Sequence, residues 1–154
     1  MGATKNLMEK VLFRSGTAAT ATSARFANVA FSAGSLLDGF KHRLDKGQPL
    51  SAPSDVRRYF MSDEEAGELC LLAGFLGEDR QVFFPRMRAE ESLMSFSDLA
   101  VAFLHHHGYE PGLCNSEREA VAAVGKANGV WPCYFSASDT TGEKPVEEDR
   151  KSVV

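Results

Sequence analysis

A chain of 154 residues is long enough for one domain with a buried core and too short for two comfortable ones. Its apolar share of 44% and charged share of 25% are those of an ordinary globular protein, and a formal net charge of -4 gives no electrostatic footing for nucleic acid or an anionic membrane surface. No apolar run reaches the length of a membrane span, the first residues lack the layout of a signal peptide, and Cys70, Cys114 and Cys133 form no Cys-x-x-Cys pair. The expectation is a cytoplasmic protein with free thiols, no zinc site and no disulfide framework.

Residues 1 to 14 are predicted to be helical, with Met8, Val11 and Leu12 as a narrow apolar stripe between charges. The helix begins at Met1 without an N-cap or a preceding turn, as though the chain started inside it. Ser15 to Ser23 is a small-residue loop. Ala24 to Ser35 follows as the stretch around which the rest is organised: a short buried strand built on Phe26, Val29 and Phe31, turning through Gly34 into a helix capped by Ser35. A polar Asn28 inside such a run needs partners. Either its amide ties down a neighbouring loop, or it contacts a ligand at the end of the strand, where α/β proteins place such contacts.

Leu36, Leu37, Phe40 and Leu44 share one face of the next helix, which Gly47 stops. Gln48 to Asp55, with two prolines, is expected to be extended loop, and Asp55 to Met61 a strand carrying Arg57 and Arg58. Ser62 with Glu65 is a capping box opening a helix whose broad apolar face runs from Ala66 to Leu76, ended by Gly77. Gln81 to Pro85 is a short strand. Ser95 caps a helix in which Phe96, Leu99, Ala100, Phe103 and Leu104 recur at helical spacing. Tyr109 to Cys114 is one more strand, Ser116 with Glu119 repeats the capping-box signature, and Trp131 to Phe135 is a last aromatic segment before a charged, frayed tail from Gly142. Alternating strands and helices point to an α/β fold with βαβ-like units.

Several residues could carry chemistry. His105, His106 and His107 are consecutive, and neighbours on a helix point about 100° apart, so a regular helix cannot aim all three at one ion. No metal site is expected, and the histidines suit the negative end of the helix dipole instead. His42 lies on a polar helix face, and Asp63, Glu64 and Glu65 are helix N-terminal charge. Arg57 and Arg58, beside an aromatic strand, form either a phosphate-holding pair or a solvated edge. Lys5 stands one helical turn from Met1, so it lies beside whatever group position 1 carries, and could bind a ribose hydroxyl or lower a neighbour's pKa.

Taken together, Met1-Gly2-Ala3-Thr4-Lys5, Ala24-Arg25-Phe26-Ala27-Asn28-Val29, Gly34-Ser35 and Arg57-Arg58-Tyr59-Phe60 resemble the C-terminal half of nucleotide-sugar 4,6-dehydratases. These are extended short-chain dehydrogenase/reductase proteins of the CapD-like polysaccharide-biosynthesis group. The likeness runs from Met1 to about Lys144 and includes Gly67-Glu68-Leu69-Cys70 and Trp131-Pro132-Cys133-Tyr134-Phe135. It implies the C-terminal part of an NAD(P)-binding Rossmann-like α/β fold whose N-terminal dinucleotide-binding half is missing. Residues 1–34 would be the last part of the Rossmann-like core, 35–141 the substrate-binding part and 142–154 the tail.

The same resemblance assigns roles. Lys5 matches the lysine of the tyrosine-x-x-x-lysine segment, catalytic and in contact with the nicotinamide ribose, and Met1 falls at the tyrosine, where some related dehydratases carry methionine. Asn28 and Ser35 match positions around the nucleotide-sugar pocket, and Arg57 or Arg58 the position that holds the diphosphate. The implied reaction is 4,6-dehydration of a UDP-N-acetylhexosamine with NADP or NAD as internal hydride carrier. The glycine-rich dinucleotide fingerprint and the Ser/Thr of the catalytic set are absent from this chain. Three expectations follow: an inactive dehydratase fragment, one chain of a split enzyme whose partner chain supplies the Rossmann half, or a non-catalytic nucleotide-sugar binding module; the protein partner would be that Rossmann-half chain or, in a homo-oligomer, a second copy. The second predicts a large exposed apolar patch, and the third requires Leu7, Met8, Val11 and Phe26 to be covered within the chain.

Overall fold

A computed structural model of the chain describes residues 2–14, 19–86, 93–139 and 146. In chain order, the elements are α1 (Gly2–Leu12), β1 (Ser23–Ala24), β2 (Asn28–Val29), α2 (Leu36–Asp45), β3 (Leu50–Pro53), β4 (Arg57–Met61), α3 (Asp63–Leu76), β5 (Val82–Phe83), β6 (Leu93–Ser95), α4 (Phe96–His106), β7 (Glu110–Leu113), α5 (Glu117–Ala123) and β8 (Val130–Ser136). The expected tail from Gly142 lies outside the described residues apart from Val146, as does Met1.

Three small sheets organise these elements. β8 lies between β3 and β7, all parallel; β4 lies between a parallel β2 and an antiparallel β6; β1 and β5 form a parallel pair. The core sits where α2 and α4 cover the β3–β8–β7 sheet. Leu37 and Phe40 of α2 and Ala100, Phe103 and Leu104 of α4 meet Leu50, Ala52 and Cys133, with the Phe40 and Phe103 rings 5.8 Å apart. Tyr109 and Trp131 close one side, their rings 5.0 Å apart, and the indole Nε1 donates to Gln48 O at 3.0 Å.

Local chemistry explains the helix ends. Ser35, Ser62, Ser95 and Ser116 each accept a hydrogen bond from the amide three residues on, and at Ser62 the Glu65 carboxylate reciprocates to complete the expected box. At Ser116 the reciprocal carboxylate shifts by one residue: Glu119 accepts from Asn115 N at 2.8 Å. Both α2 and α4 stop on a glycine at positive φ. Gly47 N bonds Leu44 O and Gln48 N bonds Arg43 O, and the same pair of bonds links Gly108 and Tyr109 to His105 and Leu104. This is the Schellman arrangement, which occupies carbonyls that the helix itself leaves open.

Three expectations are corrected. The single buried strand over 24–35 is two short strands in different sheets: Ser23 and Ala24 pair with Val82 and Phe83, whereas Asn28 and Val29 pair with Phe60 and Met61. The chain changes neighbour between them, and Asn28, Phe26 and Phe31 are exposed, so Asn28 bears no burial cost. Gln48 to Asp55 is not loop throughout. Leu50–Pro53 is β3, with Leu50 and Ala52 turned into the core. Leu93–Ser95 forms an unanticipated third strand beside β4.

Candidate functional site

The β2–β4–β6 sheet gathers most of the predicted contact residues. Asn28 on β2 lies opposite Phe60 on β4, and Arg57 and Arg58 occupy the start of β4 opposite Ser95 and Met94. Arg57 is exposed. Arg58 is 8% exposed, donates from Nη1 to Arg57 O at 2.8 Å and lies 5.8 Å from the centre of the Phe96 ring, a cation–π distance. Ser95 is buried behind them, its hydroxyl donating to Asp98 Oδ2 at 2.5 Å while accepting from Asp98 N at 3.0 Å.

Past β2 the chain folds back through a tight loop into α2. Ala30 N donates to Met61 O at 2.9 Å, Ser32 Oγ to Val29 O at 3.0 Å and Ser35 N to Ser32 O at 2.9 Å. Within it Phe31 takes a φ of 57°, the left-handed region where bulky side chains are strained. Gly34, at φ 76°, is the residue whose missing Cβ permits the turn. Its amide donates to Asp38 Oδ2 at 3.0 Å, and Asp38 N is held by Ser35 Oγ at 3.2 Å. Ser35 is therefore engaged as the N-cap of α2.

Lys5 stands exposed on α1, one turn before Glu9. Glu9 accepts a forked pair from Arg25, Nε at 3.1 Å and Nη2 at 2.6 Å, which fastens α1 to the segment between β1 and β2. Sequence reasoning assigned no role to this pair, and its sole signal was the arginine ahead of Asn28. Met1 lies outside the described residues, so its position beside Lys5 is not defined.

The histidines diverge. His105 Nε2 is 3.3 Å from Glu110 Oε2 and His107 Nδ1 is 2.8 Å from Phe103 O; no group of three metal-ligand side chains converges among the described residues. A groove of about 410 Å³ between the end of α2 and α5, lined by Arg43, Gln48, Glu117 and Val121, contains none of the predicted site residues.

The turn between β2 and α2 does not form a dinucleotide cradle. Such a cradle brings glycine amides to a pyrophosphate at a helix N-terminus. Here, between β2 and α2, the Gly34 amide already serves the Asp38 carboxylate, whose charge would repel a phosphate. No helix of the described residues is long and apolar enough to cross a membrane.

These elements define a partial Rossmann-like α/β fold. Its backbone superposes on the X-ray structure of Pen from Bacillus thuringiensis with a TM-score of 0.62 at 21% identity, covering 96% of this chain and 39% of that one. It also superposes on UDP-N-acetylglucosamine 4-epimerase from Bacillus cereus, TM-score 0.53 at 15% identity, covering 91% and 45%. In sequence it is 35% identical over 112 residues to the probable polysaccharide biosynthesis protein EpsC of Bacillus subtilis, across 71% of this chain and 18% of that protein. Residues 1–129 match the family described as polysaccharide biosynthesis protein, and the chain belongs to that family. It spans about a fifth of the length of the EpsC relative and less than half of either solved structure.

Proposed function

We propose that this chain carries the nucleotide-sugar-binding part of a 4,6-dehydratase for surface polysaccharide biosynthesis, and that alone it does not turn over substrate. The carrying observation is the parallel pairing of β2 with β4, which sets Asn28 and the Phe31–Ser35 loop on the same small sheet as Arg57 and Arg58. In this reading Arg57 or Arg58, which leave opposite faces of β4, meets the diphosphate of a UDP-N-acetylhexosamine, and Asn28 and the loop meet the rest of the ligand. Lys5, with position 1, would serve catalysis and a nicotinamide ribose only in the assembled enzyme. The closed turn at Gly34 argues that NADP or NAD is held by groups outside this chain.

The split-enzyme reading has its own support. Leu7, Met8, Val11 and Leu12 on α1, and Leu71, Leu72, Phe75 and Leu76 on α3, are exposed, as is Phe26. Apolar faces of this extent suit a covering partner, either a separate Rossmann-half chain or a second copy, better than a free-standing binding module. A cytoplasmic location fits either arrangement.

Calorimetric titration of the purified chain with UDP-N-acetylglucosamine and with NADP, alongside circular dichroism, tests the proposal. Binding of the sugar nucleotide but not of NADP is the expected outcome. A folded chain that binds neither would remove the substrate-half assignment.

A further inference from the structure

Among the described residues two non-glycines, Phe31 and Arg80, take a positive φ, and Phe31 is the one beside the predicted contact residues. Its φ of 57° lies in the left-handed region, and its side chain is 56% exposed, so burial of the ring does not account for the conformation. The surrounding loop fixes it from both sides. Ala30 is tied to β4 through Met61 O, and Ser32 is tied to Val29 O through its hydroxyl and to Ser35 through its carbonyl. The loop leaves the carboxyl end of β2, a strand with a parallel neighbour, and runs into the capped start of α2. In open α/β sheets that end of the strands is where ligands lie.

A strained backbone, a rigid loop and a solvent-facing aromatic at this place together describe a contact surface kept ready for a flat partner. We propose that Phe31 is a specificity-determining residue that packs its ring against a ring of the nucleotide-sugar ligand. The inference rests on the nucleotide-sugar reading above and adds to it a residue at which no role was expected. Arg57 and Arg58 lie toward the opposite end of the same strand pair, at the start of β4. A ligand whose diphosphate sits at one of these arginines would extend a terminal ring toward Phe31, either the uracil or the hexose. Both offer the face that an aromatic side chain contacts without hydrogen-bonding demands.

The test uses this chain and six titrations, UDP and UDP-N-acetylglucosamine each against the wild type, Phe31→Gly and Phe31→Tyr, with the unfolding midpoint of each protein measured in parallel. Glycine relieves the backbone strain while deleting the ring, so Phe31→Gly should melt at or above the wild type yet bind UDP-N-acetylglucosamine about tenfold more weakly. A merely structural role would move both quantities in the same direction. Phe31→Tyr should retain affinity. If the loss appears with UDP as well, the uracil is the stacked ring; if it appears with UDP-N-acetylglucosamine alone, the hexose is. Equal affinity of Phe31→Gly and wild type would overturn this inference and leave the binding assignment standing, whereas a wild type that binds neither ligand would overturn both.

Discussion

The thiol of Cys133 is fully enclosed and donates to Trp131 O at 3.4 Å; burial first, and the nearby Cys114 second, push its pKa from 9.0 up to about 11. A thiol becomes charged by losing its proton, so the folded chain keeps a proton that the unfolded chain has released over that interval. The stability this contributes is complete below pH 9.0 and is lost as pH rises toward about 11. Urea midpoints should therefore fall through that window in the wild type, and fall less steeply in Cys133→Ala, although the variant starts lower because it leaves a small void. Parallel slopes for the two proteins would refute this. At the same scale, burial was harder to read from the sequence than the local chemistry of each residue. Asn28 was expected to be buried and is exposed, because a run of alternating apolar and small residues does not disclose that the backbone leaves one sheet for another after Ala24. Phe31 gave no warning, since a backbone dihedral set by bonds at Ala30, Ser32 and Ser35 leaves no mark in side-chain pattern.

Among the elements, helices were the legible part. The caps at Ser35, Ser62 and Ser95 and the stops at Gly47 and Gly108 are local chemistry, read from three or four adjacent residues. Replacing Ser62 with Ala removes the acceptor for the Glu65 amide while leaving the backbone N–H that the Glu65 carboxylate accepts from, and thermal or urea unfolding should register a loss of about 1 kcal/mol. Gly77, at the end of α3, is required for a different reason. A Cβ there would run into Ala73 O and stand 2.5 Å from Thr22 Cγ2 and 3.0 Å from Phe83 Cε2, so α3, the approach to β1, and β5 meet at a point with no room for a methyl group. Gly77→Ala should cost roughly 1–3 kcal/mol by the same measurements, and a neutral result would mean that α3 can withdraw from the β1–β5 pair. The short strands were harder to foresee. β3 is a leucine, a serine, an alanine and a proline whose alternation is visible only once β8 is known to lie beside it, and three-residue β6 exists because β4 offers it an edge. Pro132 looks foreign to a central strand, yet pairing with β3 begins at Cys133, so its missing N–H falls where β7 is the sole neighbour.

At the scale of the whole molecule, apolar surface is divided unevenly. The half containing α2, α4 and the β3–β8–β7 sheet encloses most of its large side chains, Leu113 and Val130 excepted, whereas α1 and α3 present most of theirs outward, with Phe75 82% exposed. The purified chain should self-associate through these faces, and the double substitution Leu72→Glu with Phe75→Lys should shift sedimentation toward monomer without lowering the unfolding midpoint. Unchanged association would point to α1 instead. The strand order carries a further consequence, for the life of the chain during synthesis. β8 joins β3 to β7, so among the described residues Leu50 has no strand beside it until Cys133, far along the chain, has left the ribosome. The segment between β3 and β8 must wait with that gap unfilled, open to chaperones and proteases, and a chain interrupted before Val130 would leave the best-packed half with nothing to close around.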